Sequence, residues 1–179
     1  MTKLTGVRGL TRRDLLASGV TAGATLVVGA GFVAHPTEAW AAEAKALTPA
    51  TFATLIQMSR DCYPHDRIAD RHYAITVKAH DDKAAGDDAA KAMLEGGVAT
   101  LDTLAKGAGN PSYLATGWER DRVALLKQIE TTEFFQAIRG GLVVGLYNQK
   151  EIWGLFGYEG ASFEQGGYIE RGFDDIAWL

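Results

Sequence analysis

The chain has 179 residues, 47% of them hydrophobic, and 18 Lys and Arg against 22 Asp and Glu give it a formal charge of −4. That length holds one compact domain with a sizeable core. The acidic balance argues against nucleic acid and anionic lipid as partners, because phosphate contacts need concentrated Lys and Arg; the single cysteine, Cys62, excludes covalent c-type haem, cysteine-held iron–sulfur clusters and an internal disulfide.

Residues 1–41 read as an export signal. Thr11-Arg12-Arg13-Asp14-Leu15-Leu16 has the Ser/Thr-Arg-Arg-x-apolar-Leu form that the twin-arginine exporter reads, so Arg12, Arg13, Leu15 and Leu16 are expected to carry the signal. No residue from Leu15 to Ala34 is charged. Within that run, Gly29-Ala30-Gly31-Phe32-Val33-Ala34 has the GxGxxA form of a dinucleotide-binding turn. Its context fails: Pro36 stops the helix that should follow, and no second strand brings an acidic residue about twenty positions later. Ala39-Trp40-Ala41 offers a small-x-small cleavage site at Ala39 and Ala41. The uncharged run is also about long enough to span a bilayer, which leaves an uncleaved anchor as the alternative. Cleavage removes four bases (Lys3, Arg8, Arg12, Arg13) and two acids (Asp14, Glu38), leaving 138 residues with 14 bases, 20 acids and a charge of −6.

Residues 42–156 read as helices joined by short breaks. Thr48-Pro49 is a cap followed by a first-turn proline, and Phe52, Leu55, Ile56 and Cys62 recur at helical spacing up to Pro64. That position favours burial of Cys62 over a bond to another chain. A second helix is expected from about Asp70, with Tyr73, Val77 and His80 inward. A third, over 87–105, lines up Met93, Leu94, Val98, Leu101 and Leu104. Gly107 to Tyr113 reads as a loop. Thr116-Gly117-Trp118-Glu119 has capping-box form ahead of Val123, Leu126 and Ile129. Thr131 or Thr132 caps a helix bearing Phe134, Phe135, Ile138, Leu142, Val143 and Leu146, the most apolar of the set and expected to be central. A short helical turn follows over 151–156. No segment alternates as a strand would, so the fold class is all-α, a single domain of five or six helices.

From Gly157 to Leu179 the chain changes character: glycines at 157, 160, 166, 167 and 172 alternate with Tyr158, Phe163, Tyr168, Phe173 and Trp178. Glycines this dense cannot sustain a helix, yet disordered tails avoid aromatics. An ordered, irregular segment laid over a surface is expected, and residue types alone favour the domain's own core as that surface.

Catalytic signals are sparse. In Pro64-His65-Asp66-Arg67-Ile68-Ala69-Asp70-Arg71-His72-Tyr73, the residues His65, Asp70 and His72 are close enough to suggest a metal site or an acid–base pair. The competing reading has Asp66 and Asp70 capping helix ends and pairing with Arg67 and Arg71. No GxSxG, HExxH or phosphate-cradling loop occurs after residue 41.

The twin-arginine start, the stretch CYPHDRIADRHY and above all the ending LYNQKEIWGLFGYEGASFEQGGYIERGFDDIAWL resemble the gluconate 2-dehydrogenase subunit 3 family, the small subunits of periplasmic flavoprotein dehydrogenases. The resemblance covers nearly the whole chain and is most specific from Phe134 to Leu179. It implies a non-catalytic subunit that binds no cofactor itself. The partner it implies is an FAD-containing catalytic subunit of the glucose-methanol-choline type acting on a sugar, sugar acid, polyol or glycoside, often with a cytochrome c subunit. It further implies that this chain carries the export signal for both proteins to the periplasm, and that Tyr158, Phe163, Tyr168, Phe173 and Trp178 contact the partner. Some relatives are disulfide-linked to their partner, a role for which Cys62 is the sole candidate. The reading that stands against it is a free-standing periplasmic helical enzyme or metal-binding domain using His65, Asp70 and His72.

Overall fold

The computed structural model describes residues 44–171 and 173. The expected signal residues Arg12, Arg13, Leu15 and Leu16, the cleavage residues Ala39 and Ala41, and Trp178 lie outside them. Six helices follow one another: α1 (Pro49–Cys62), α2 (Asp70–Ala84), α3 (Asp88–Gly107), α4 (Glu119–Gln128), α5 (Glu133–Gly145) and α6 (Lys150–Trp153), with single 3₁₀ turns at Gly154–Phe156 and Ser162–Gln165. Among the described residues there is no strand, and no helix is long and apolar enough to cross a membrane.

Local chemistry accounts for three of the six helix starts. Thr48 Oγ1 accepts from Thr51 N at 3.2 Å ahead of Pro49. Asp87 accepts from Ala89 N and Ala90 N, and Thr132 Oγ1 from Phe135 N, so each satisfies backbone donors that a helix start leaves open. The capping box expected at Thr116 does not form. Thr116 is buried and its hydroxyl donates to Ser112 O at 3.0 Å. The residue ahead of α4 is Trp118, which makes no side-chain cap.

The core runs through all the larger helices, with Leu55, Met58, Tyr73, Leu101, Tyr113, Ile138, Leu142, Leu146 and Ile152 fully buried. The hubs are α1 and α3, each packed on four other helices. α5 packs on α1, α2 and α3 through Phe134, Ile138 and Leu142, but Val143, expected to face inward, is exposed. What α5 contributes is close approach. The His80 ring of α2 lies against Gly141, and a β-carbon on Gly145 would come within 2.7 Å of Thr76 Cγ2. The Phe134 ring occupies the space that a side chain at Gly97 of α3 would need. Glycine at these three positions lets a side chain of the facing helix rest directly against the helix backbone.

Two buried carboxylates tie the chain together. Asp61, near the end of α1, accepts from Tyr113 Oη at 2.6 Å, from Arg122 Nε at 2.7 Å and Nη2 at 2.9 Å, and from Gln57 Nε2 at 3.1 Å. The side chains of Arg122 and Asp61 are 13% and 2% exposed. Hydrogen bonding to Asp61 raises the Arg122 pKa. Burial, with Asp61 alongside, keeps the Tyr113 hydroxyl protonated far above the ordinary tyrosine range. The other carboxylate, Asp81 of α2, collects the backbone N–H groups of Lys45 at 2.7 Å, Ala46 at 3.0 Å and Leu47 at 2.8 Å, and so pins the strap that precedes α1.

A half-broken buried ion pair leaves an uncompensated charge, which costs far more than losing the pair as a unit. Arg122→Leu is therefore expected to destabilise the protein by about 3 kcal/mol in urea unfolding. Asp61→Asn in the same chain should restore part of that loss. An Arg122→Leu cost below about 1 kcal/mol would show the pair to be incidental.

Stability should also fall in two acid steps. Burial, followed by nearby Lys83, holds the His80 pKa below 6.5. Burial pushes Asp81 upward, but its three backbone donors outweigh that and leave it below 3.8. In both cases the unfolded chain binds the proton more readily, so stability present at neutral pH is lost as pH falls, first below 6.5 and then below 3.8. Asp81→Asn should abolish the lower step and cost about 2 kcal/mol at neutral pH. Thermal melts across pH check this, and an unchanged lower step would assign it to other carboxylates.

Candidate interaction surface

The three residues of the proposed metal or acid–base site are held apart, each by its own partner. His65 Nε2 lies 2.6 Å from Tyr147 Oη. Asp70 pairs with Arg60 at 2.5 Å, and the Arg60 guanidinium sits 5.4 Å over the Tyr73 ring. His72 is buried, with Nδ1 2.6 Å from Gln149 Oε1. Gln149 Nε2 donates to His72 O and Gly145 O, so its Oε1 is the acceptor and His72 carries its proton on Nδ1. His72 Nε2 accepts from Arg71 Nε at 3.2 Å. Among the described residues no three His, Cys, Asp or Glu side chains converge as metal ligands would. The competing salt-bridge reading also needs correction. Asp70 reaches Arg60 across the turn rather than neighbouring Arg71, which faces Glu151 at 3.9 Å, and α2 is preceded by Ala69 with no side-chain cap.

What His65 does join is an aromatic knot at the far end of the domain. Tyr147 meets Tyr63 edge-on at 5.8 Å and His65 at 5.6 Å, while Phe156 meets His65 at 5.4 Å. Trp153 Nε1 donates to Tyr147 O at 2.8 Å, and Tyr73 Oη to Tyr63 O at 2.6 Å. Burial pushes the Tyr73 hydroxyl up to about 12. Cys62 is half-buried at this end of α1, and desolvation, with Asp61 adding to it, pushes its thiol up to about 12. A thiol so raised holds very little thiolate near neutral pH and reacts slowly.

The tail leaves from this knot in a defined shape. Tyr158 N donates to Trp153 O at 3.0 Å and Gly157 N to Gly154 O at 3.3 Å, with Gly157 at φ 73°, which is the Schellman closure of a helix end. The same closure recurs one turn later, where Gly167 N donates to Ser162 O at 2.8 Å and Gly166, at φ 86°, to Phe163 O. Glu159 then works as a clip, its carbonyl accepting from Gln165 Nε2 at 2.6 Å and its carboxylate pairing with Arg171. These left-handed positions are where glycine costs nothing and other residues are strained.

The aromatics on this scaffold point to solvent. Exposure is 84% for Phe163, 65% for Tyr168 and 77% for Phe173; Tyr158 is 51% exposed, with its ring edge-on to Trp153 at 5.1 Å. The residue-type expectation that these side chains pack on the domain's own core is thus overturned for Phe163, Tyr168 and Phe173. Leu155, Phe156 and Ile169 are exposed as well, so the apolar run begins ahead of Gly157. Comparison with models of known protein families, with characterised proteins and with solved structures finds no match.

Side chains this exposed contribute little to folding. Truncation after Phe156 is expected to leave a helical domain that melts cooperatively and loses no more than about 1 kcal/mol, mainly the Tyr158–Trp153 contact. Circular dichroism measures it. Loss of the helical signal at room temperature would mean the tail is part of the core.

Proposed function

We propose that this chain is the non-catalytic small subunit of a periplasmic FAD-dependent dehydrogenase, with a catalytic partner of the glucose-methanol-choline type that oxidises a sugar, polyol or glycoside. The observation that carries the reading is the ordered run of exposed aromatics from Phe156 to Phe173. Isolated exposed apolar residues are ordinary, but a contiguous set marks an interaction surface. Aromatic anchors of this kind contribute most of the affinity at protein interfaces. The stretch also lies within Phe134 to Leu179, where the sequence most specifically resembles the small-subunit family. In this reading the flavin and the reacting groups belong to the partner, and the tail holds it.

The twin-arginine exporter moves folded cargo, so a partner bound to this chain crosses the membrane with it. The division of labour follows: Arg12 and Arg13 address the complex, and the tail retains the passenger. A cytochrome c subunit, where one is present, would take electrons from the flavoprotein. Replacing Arg12 and Arg13 by Lys in cells that make both subunits is expected to leave this chain and the partner's dye-reducing activity in the cytoplasm. Fractionation followed by dye reduction measures the outcome. Partner activity still reaching the periplasm would show that the flavoprotein travels unaided, and the escort reading would fail.

A further inference from the structure

The tail combines a strong excess of acids with exposed apolar side chains. Among the helices, Asp61, Asp81 and Asp102 accept buried or half-buried donors from distant parts of the chain, and Glu95 clasps Thr48 N and the Thr51 hydroxyl at the start of α1. From Gly157 to Leu179 there are five acids, Glu159, Glu164, Glu170, Asp174 and Asp175, against one base, Arg171. Arg171 is taken by Glu159. Glu164 and Glu170 are exposed, and among the described residues neither forms an ion pair. Each directly follows an exposed apolar side chain, Phe163 in one case and Ile169 in the other.

That alternation constrains whatever covers the tail. If Phe163 and Ile169 are buried in a partner, Glu164 and Glu170 come to lie at the rim of the contact, where a carboxylate without a counter-charge loses water and gains nothing. A second copy of the same tail would bring carboxylates against carboxylates. An anionic membrane would do the same. The complementary surface is one with apolar pockets and Lys or Arg around them.

Resting on the reading above, we infer that the tail docks into an apolar cleft with a basic rim on the catalytic flavoprotein. Phe163, Ile169 and the neighbouring aromatics fill the cleft, and Glu164 and Glu170 face the basic groups. The two sets of residues act on different quantities: rim charges steer encounter and act on the association rate, whereas filled pockets set the dissociation rate.

The test uses the full chain and the flavoprotein that co-purifies with it, with association and dissociation followed at about 0.05 M and about 1 M salt, which shortens the screening length to ~3 Å. Glu164→Lys with Glu170→Lys should slow association about tenfold or more at low salt and leave it nearly unchanged at high salt. Phe163→Ala should speed dissociation at both salt concentrations while association changes little. Equal low-salt association rates for the wild-type and charge-reversed chains would overturn the basic rim while leaving tail docking intact. A chain truncated after Phe156 that binds as well as the full chain, or the absence of any co-purifying flavoprotein, would instead remove the docking reading on which this rests. Self-association of the wild-type chain that strengthens at high salt would also overturn the proposal, in favour of tails packing on one another.

Discussion

The structure depends on one buried carboxylate placed where a helix least tolerates it. Asp61 is the penultimate residue of α1, where the carbonyl ends of the helix already concentrate partial negative charge. A carboxylate there, with its side chain almost wholly out of water, requires a full counter-charge and several donors. Arg122 supplies the charge, and Tyr113 and Gln57 supply further donors. The arrangement reaches beyond the pair, because Arg122 Nη1 also donates to Thr116 O at 2.8 Å. The loop before α4, the start of α4 and the end of α1 are thereby closed onto a single point.

From that point the order propagates along the chain to the exposed end. With α1 fixed at Asp61, the turn after it presents Tyr63 O to Tyr73 and the His65 ring to Tyr147. Tyr147 and His65 in turn position Phe156, and Trp153 receives Tyr158. The tail thus starts from a rigid base and is folded back by two Schellman closures and the Glu159 clip. An aromatic surface already ordered before binding loses less entropy on association than a flexible one does. This is a physical use for glycines that would otherwise only weaken a helix.

Much of the helical frame is legible in the sequence because helix caps are local. Thr48-Pro49, Asp87 and Thr132 act on donors two or three residues away, so spacing alone reveals them, and the apolar stripe of α3 follows from its period. Most of the failures are non-local. Thr116 has capping-box form, but a hydroxyl that can reach Ser112 O satisfies itself upstream, and nothing in the four-residue pattern reports that. The bonds of Asp81 to the strap and of Asp61 to Arg122 join residues tens of positions apart. Gly97, Gly141 and Gly145 read as helix-weakening residues until their neighbours across the interface are known. For the tail, composition indicated order without helix, but its direction depends on left-handed turns whose placement spacing does not reveal. His65, Asp70 and His72 are close in sequence yet do not converge, because His65 and His72 are taken by Tyr147 and Gln149 of the linker between α5 and α6 while Asp70 turns to Arg60 of α1.

An acidic chain can spend its carboxylates in two ways, as acceptors for its own donors or as exposed charges, and both occur here. Inside the helical domain, acids serve as acceptors: for the strap at Asp81, for the start of α1 at Glu95, for the loop at Asp102 and for the central pair at Asp61. Each satisfies donors of the domain's own backbone or side chains, so folding accounts for it. Glu164 and Glu170 satisfy no donor among the described residues, and Phe163, Tyr168 and Phe173 fill no space there. Folding accounts for the shape of the tail through its glycines, Gln165 and Arg171, but not for the side chains that shape displays. A tail shaped by its own turns and bearing side chains that its own fold does not use is what the proposed docking role draws on, with aromatic and acidic chemistry displayed together.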